Sequence, residues 1–264
     1  MLVLIKGAGD IASGIALRLY RAGMQVVMTD LPKPTAIRRT VSFSQAIAFG
    51  TYTVEDVTAT YCDANGAAAV LARGEIAVLA DPECRCREIL KPDVLVDAIL
   101  AKKNLGTKIT DAPAVIAVGP GFSAGKDCHA VVETMRGHYL GRVIWNGPAI
   151  PNTATPGLIG GFAGERVLRA PDDGIFRQML DIGAQVKAGD VAGYVGEKPM
   201  VCTISGILRG ILPDETPVFK GMKAGDVDPR CEADHCRCAS DKALAVGGGV
   251  LEAILQKTGV LNHG

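Results

Sequence analysis

Three groups of side chains in this sequence could do chemistry. Asp127, His129 and Glu133 follow the two-residue period of a strand, which predicts a carboxylate, an imidazole and a second carboxylate on one face. That set is capable of general acid–base work or weak metal binding, and its alternative is a solvent-facing polar strand. The second group is thiols: Cys84-Arg85-Cys86, then Cys231, Cys236 and Cys238 around Asp234 and His235. Thiolate and imidazole suit zinc or an iron–sulfur cluster. A structural zinc site ordinarily pairs two C-x2-C knuckles, however, so the C-x-C spacing leaves any metal unknown. Arginines beside the thiols favour thiolate and make Cys86 and Cys236 candidate nucleophiles or carriers. Free cysteines without a role are the bland alternative.

The third group is glycines. Gly7-Ala8-Gly9-Asp10-Ile11-Ala12-Ser13-Gly14 reads G-x-G-x-x-A between a strand and a helix, and Asp30 closes the next strand where a ribose hydroxyl would bind. Amides at the helix start would face a phosphate. Gly7, Gly9, Asp10, Gly14 and Asp30 are therefore candidate cofactor residues, with Arg38 and Arg39 as basic partners for an anion. The same glycines would also serve close helix-on-strand packing, and Asp10 adds unhelpful negative charge. Gly119 and Gly121, in Gly119-Pro120-Gly121-Phe122, could form an anion nest. The G-x-S-x-G string around Ser123 lacks the helix that a nucleophile elbow requires.

The elements that must position these groups follow from pattern. Apolar runs at 2–5, 25–29, 75–79, 94–100 and 114–118 alternate with helix-period stretches at 11–22 and 66–73, which predicts parallel strands covered on both faces. The expectation is an α/β chain, with a Rossmann-like parallel sheet over 1–118 and a mixed glycine-rich segment over 119–170. A duplicated β unit follows over 171–230, then a cysteine-containing segment with a C-terminal helix over 231–264. The duplication shows at an offset of 32, where Gly174-Ile175, Arg177, Val186 and Gly189 match Gly206-Ile207, Arg209, Val218 and Gly221. A second match, Lys187–Val191 with Lys223–Val227, has an offset of 36. The phrase from Ile182 to Val191 looks like the turns of biotinyl and lipoyl carrier domains, which predicts a barrel-sandwich hybrid. Lys198 lies where such a domain would carry its modified lysine. Val250, Leu251, Ile254 and Leu255 predict an apolar helix face, and the extreme tail is expected to fray.

Composition bounds the rest. The 264 residues carry 28 basic and 28 acidic side chains, so an electrostatic nucleic-acid binder is excluded. No run approaches the ~20 apolar residues of a membrane span, and no signal pattern is visible; the expectation is cytoplasmic, with reduced thiols.

Several strings together resemble the YqeB family, accessory proteins of the selenium-dependent molybdenum hydroxylase system. They are Lys6–Gly14, Ala36–Ser44, Asp97–Asn104, Gly119–Phe122, Val132–Thr134 with Arg136–His138, Gly225–Arg230, and Ser240–Lys242 with Gly247–Glu252. More distantly the chain is similar to XdhC-type molybdenum cofactor chaperones. The resemblance implies a maturation role, with molybdenum cofactor (molybdopterin) or a dinucleotide at the glycine turn and at Arg38 and Arg39, and selenium or sulfur insertion assisted by thiols. It implies as partners a molybdenum hydroxylase apoenzyme or its maturation proteins. A homo-oligomer is possible on this reading, and whether the protein is an enzyme stays open. The alternatives are an NAD(P)-binding oxidoreductase using Asp30 and His129, and a non-catalytic docking module.

Overall fold

The structure, a computed structural model, describes residues 1–153 and 157–260, so the expected fraying tail lies outside the described residues. The chain forms two compact units. Unit 1 comprises Met1–Pro34, Ser42–Thr153 and Ala239–Gly264; unit 2 comprises Thr35–Val41 and Ala154–Cys238.

Unit 1 is built on strands β1 (Leu2–Lys6), β2 (Gln25–Thr29), β3 (Thr51–Val54), β4 (Val57–Tyr61), β5 (Ile76–Leu79), β6 (Val94–Asp97), β7 (Ala114–Val118), β8 (Ser123–Ala124), β9 (Ala130–Val132), β10 (Val143–Ile144) and β11 (Gly147–Pro148). Nine of them form one sheet in the order β10-β9-β7-β6-β1-β2-β5-β4-β3, and β8 pairs separately with β11. The central strands read as unbroken apolar runs because both faces are covered: every residue from Val3 to Lys6 and from Val94 to Asp97 is buried. Helices α1 (Asp10–Arg21), α2 (Gln45–Phe49), α3 (Ala67–Ala72), α4 (Arg87–Leu90) and α5 (Asp241–Thr258) complete the unit.

Helices α1 and α5 lie against one another through glycine. A β-carbon at Gly14 would stand 2.5 Å from the Ala243 Cβ, one at Gly247 would stand 3.0 Å from the Gly14 carbonyl oxygen, and one at Gly249 would collide with the Gly141 carbonyl. Ser240 caps α5 by accepting a hydrogen bond from the Ala243 amide.

Unit 2 contains β12 (Val167–Arg169), β13 (Gly174–Gln178), β14 (Gln185–Val186), β15 (Val191–Val195), β16 (Lys198–Val201), β17 (Gly206–Ile211), β18 (Pro217–Val218) and β19 (Lys223–Asp228). They form two four-stranded antiparallel sheets, β12-β19-β17-β14 and β16-β15-β13-β18. The 32-residue repeat is written into this pairing. β13, β14 and β15 begin at 174, 185 and 191, and their counterparts β17, β18 and β19 begin at 206, 217 and 223. The match at offset 36 has no such meaning, since 187–190 is a turn and 223–228 is strand. Phe176, Val186, Leu208 and Val218 fill one core between the copies.

The expected fold class, a Rossmann-like parallel sheet joined to a biotinyl- or lipoyl-like barrel-sandwich hybrid, is corrected. The large sheet is mixed, because the β3–β4 hairpin and β10 add antiparallel edges. Its strand succession also departs from the simple order, as β5 rather than β4 pairs with β2. The sequence reading missed the hairpin because Tyr52-Thr53-Val54 and Val57-Thr58-Ala59 turn at Glu55-Asp56, without the glycine that marks a tight hairpin. In unit 2, Lys198 directly follows the Gly196-Glu197 turn of the β15–β16 hairpin. It lies in β16 opposite Val195 and makes an ion pair with Asp172.

The packing of α5 separates two adjacent glycines. Gly249→Ala should lower stability by about 1–3 kcal/mol, because the methyl has no room. Gly248→Ala meets nothing within 4 Å and should raise stability by roughly 0.5–1 kcal/mol. Urea unfolding of the two variants checks both signs.

Candidate functional site

Parallel strands bring their carboxyl ends to one edge, where ligands of open α/β sheets collect. In unit 1 the register sets Lys6, the last residue of β1, beside Thr29 on β2 and Asp97 on β6. Lys6 is 5% exposed and Asp97 1%. A buried ammonium is tolerated only when paired and hydrogen-bonded. Lys6 Nζ donates to Thr107 Oγ1 at 2.7 Å and stands 3.4 Å from Asp97 Oδ2, while Thr107 Oγ1 donates to the same Asp97 oxygen at 2.5 Å. Thr107 is placed by Asn104, whose Oδ1 accepts from the Gly106 and Thr107 amides and whose Nδ2 donates to the Thr107 carbonyl.

The loop after β5 delivers sulfur to the same place. Asp81 accepts hydrogen bonds from the Cys84 amide at its carbonyl and from the Cys86 amide at Oδ2, and Arg87 clamps the Cys84 carbonyl at 3.0 Å. This winding leaves Cys84 at φ +56°, in the left-handed region that favours glycine. The Cys84 thiol is pulled below the ordinary thiol range, first by a hydrogen bond from the Cys86 thiol, then by the Lys6 charge and a hydrogen bond from Thr29; burial and Asp81 oppose them. Cys86 is correspondingly pushed up by its role as donor to Cys84 and by burial. Burial also pushes up Cys62, Cys128, Cys202 and Cys236, with Cys128 at about 12. Cys84 is thus the one thiol whose surroundings favour thiolate among the described cysteines with a shifted value. Lys6, Cys84, Arg85, Arg87, Leu105 and Asp111 are among the residues around a cavity of about 490 Å³.

Of the residues singled out in the sequence, Cys84 and Cys86 belong to this cluster, and Cys84 rather than Cys86 is the thiol whose surroundings favour thiolate. The adjacent arginines do not supply the charge: Arg85 pairs with Glu83, and Arg87 with Asp111 at 3.6 Å. Cys236 lies in unit 2 and is buried, its Sγ 4.0 Å from the Leu208 carbonyl. Among the described residues, no group of three or more His, Cys, Asp or Glu side chains is placed to hold a metal ion.

Asp127, His129 and Glu133 do not share a strand face, because β9 spans only Ala130–Val132. Each holds a different stretch of backbone. Asp127 accepts from the Ser123 amide, His129 Nδ1 from the Val115 amide at 2.9 Å, and Glu133 from the Thr134, Met135 and Ile150 amides. Burial holds the His129 imidazole below its usual pKa, which suits an accepting, uncharged Nδ1.

At the glycine turn, the protein's own carboxylates take amides that a phosphate would use. Asp30 Oδ2 accepts from Ala8 and Asp10 Oδ1 from Ile11, both at 2.8 Å, and burial pushes the Asp30 carboxyl up. Gly7, at φ +101°, is needed where the chain passes the Ala98 carbonyl; Gly9 begins α1, and the space over its Cα is open. Gly14 serves the α1–α5 contact. Gly121 passes Lys103 too closely for any side chain, and the Gly119 amide donates to Val132. Arg38 and Arg39 lie in unit 2, donating to the His235 and Cys238 carbonyls and to Ile211 and Gln178 respectively.

Lys6, Asp97 and Thr107 escaped the sequence reading, which named Cys84 within its C-x-C string but chose Cys86 as the reactive thiol. A signal was present: Lys6 and Asp97 are opposite charges closing two apolar strands, Leu-Val-Leu-Ile-Lys and Val-Leu-Val-Asp.

No protein-family model matches the chain. Over 255 residues, 96% of its length, it is 53% identical to a protein of Escherichia coli (strain K12) named "Uncharacterized protein YqeB". The chain is similar to YqeB over nearly its whole length. It covers 47% of that relative, so it spans about half the length of the curated YqeB it matches. The link to XdhC-type chaperones has no such support.

Among solved structures it is similar to the product-bound ectoine utilization protein EutE (DoeB) from Ruegeria pomeroyi, at 12% identity and a TM-score of 0.24, with 86% of this chain and 84% of that chain covered. It is also similar to an aspartoacylase family protein from Mesorhizobium loti, at 13% identity and a TM-score of 0.26, covering 86% and 83%. A succinylglutamate desuccinylase/aspartoacylase from Rhodobacter sphaeroides gives 16%, 0.26, 86% and 84%. Likenesses at this level carry neither a fold nor an activity to this chain.

The expected role in maturing selenium-dependent molybdenum hydroxylases is corrected, and the molybdenum and selenium assignments go with it. The YqeB relative is named as uncharacterized, so its name lends that role no support. The two thiols assigned to carry the inserted atom, Cys86 and Cys236, are both held protonated by their surroundings.

The thiolate is the form that reacts with alkylating agents. Cys86→Ala removes the largest stabilising hydrogen bond and Lys6→Met the nearby cation, so each should move the pH midpoint of Cys84 alkylation upward, by about one unit or more. Peptide mapping of iodoacetamide adducts across pH measures the shift; unchanged midpoints in both variants would contradict the arrangement.

Proposed function

We propose that the protein is a thiol-dependent catalyst acting on a small polar molecule at the carboxyl ends of β1, β5 and β6. The observation that carries this reading is the position of Cys84, which lines the 490 Å³ cavity together with the buried Lys6, on the loop that also carries Cys86. In this reading Cys84 attacks an electrophilic atom of the bound molecule. Lys6 holds the negative charge on sulfur before attack, and Asp97 with Thr107 hold Lys6. Cys86, kept protonated, is a proton source on the same loop as the reacting sulfur. The cavity wall offers both signs of charge, Lys6, Arg85 and Arg87 against Glu83, Glu88 and Asp111, which suits a zwitterionic rather than an apolar molecule.

Among the described residues no helix is long and apolar enough to cross a membrane. All eight cysteines are free, which suits a reducing compartment, and we propose the cytoplasm.

Exposure and activation give opposite expectations for thiol labelling. Cys84 is 1% exposed and Cys231 is exposed. With iodoacetamide below one equivalent at neutral pH, the first adduct should fall on Cys84. Each unit by which its pKa lies below that of a competing thiol gives up to about tenfold more thiolate. Cys84→Ser should abolish that adduct. First labelling at Cys231, with Cys84 unmodified, would overturn the proposed function.

A further inference from the structure

The duplication in unit 2 matches its two sheets strand for strand. Moving 32 residues along the chain turns β13 and β15 into β17 and β19, and β14 into β18, so β16-β15-β13-β18 repeats the order of β12-β19-β17-β14. Alternation then fixes which side chains leave the core. Phe176 and Leu208 point inward, so Ile175 and Arg177 take the same outward positions on one sheet as Ile207 and Arg209 on the other. Their surroundings differ. Ile207 is 2% exposed and Ile175 45%. Arg209 is closed over by the chain itself: Arg166 shares Asp226 with it, while Arg230 and His235 gather on its second partner, Asp228. Arg38 and Thr40 tie down this covering segment through the carbonyls of His235 and Cys236. Arg177 pairs instead with Asp214 and Glu215, both exposed. One face of the duplicated sandwich is covered, and its counterpart is bare.

We propose that the outer face of β16-β15-β13-β18 is where a second copy of this chain docks. Ile175, Pro217 opposite it on β18, and Phe219 two residues further on make an apolar centre, with Phe219 64% exposed. Tyr194, opposite Arg177, and the exposed Val201 extend it across β15 and β16. Neighbouring exposed apolar side chains on one face mark an interaction site. The charges at the margin select the partner. Arg177 stands with Asp214 and Glu215, and Lys198 with Asp172, so the face carries both signs and favours neither a strongly acidic nor a strongly basic surface. It does suit itself. A two-fold axis lays the same patch on both copies, apolar centre on apolar centre, and lets the cations of one margin face the carboxylates of the other. The face is small: four strands ~4.8 Å apart and about five residues long span roughly 300 Å², against about 800 Å² per partner in a standard interface. The dimer is therefore concentration-dependent rather than permanent.

Sedimentation equilibrium of the full chain, from about 10 µM to about 1 mM, reads the association directly. The wild type should move from the monomer mass toward twice that mass. Ile175→Glu and Phe219→Glu each put a carboxylate into the apolar centre and should weaken association by about tenfold or more, with the circular dichroism of the wild type. Phe49→Glu, equally exposed but on unit 1, should associate like the wild type. Monomer mass at every concentration would overturn the self-docking and leave the face to a different protein. A wild-type dimer that persists in both Ile175→Glu and Phe219→Glu, or that Phe49→Glu dissociates, would put the interface elsewhere and overturn the proposal as well.

Discussion

The arrangement of unit 1 turns on one constraint, the ammonium group of Lys6 buried at the end of the central strand. Burying such a charge costs several kcal/mol unless partners are in place before a ligand arrives. Register supplies the first partner, since β1 and β6 pair in parallel with Lys6 opposite Asp97. The Asn104 turn supplies the second by pinning Thr107 beneath it. With its charge held but only partly neutralised, Lys6 biases whatever sulfur lies beside it toward thiolate. The loop from Asp81 to Arg87 brings Cys84 there at the expense of a left-handed backbone.

The same constraint explains why the glycine turn is not the centre of the chemistry. Gly7 follows Lys6 directly and passes the Ala98 carbonyl, so its lack of a side chain lets β1 and the segment after β6 approach. The amides beyond it are taken up by Asp30 and Asp10. The turn aligns strand ends, while the reactive group comes from the loop after β5.

What the sequence made legible follows from periodicity. Buried strands such as Val94–Asp97 and Ala114–Val118 announce themselves as apolar runs, and the 32-residue repeat surfaces in the strand starts of unit 2. The edges of the sheet were hidden, because β3 and β4 mix threonine with apolar residues, β10 is only the two residues Val143–Ile144, and edge pairing has no local signature. The functional cluster was hidden for a different reason. Lys6, Cys84, Asp97 and Thr107 lie far apart in the chain and meet only through parallel register. The C-x-C string did point at the right loop. Adjacent arginines suggested Cys86 as the reactive thiol, but those side chains turn to Glu83 and Asp111, and the charge that matters comes from a strand about 80 residues earlier. The Asp127, His129 and Glu133 pattern failed because a two-residue period means a shared face only where the strand is long enough to include all three residues.

The central claim is that Cys86 and Lys6 hold the Cys84 thiol below the ordinary thiol range. Ultraviolet thiolate absorbance followed across pH, with Cys84→Ser as the difference reference, tests it without any knowledge of the substrate. The account expects a single thiolate titrating below the ordinary thiol range in the wild type, absent from Cys84→Ser and moved upward in Lys6→Met. A difference spectrum that shows Cys84 titrating at or above the ordinary range would contradict it.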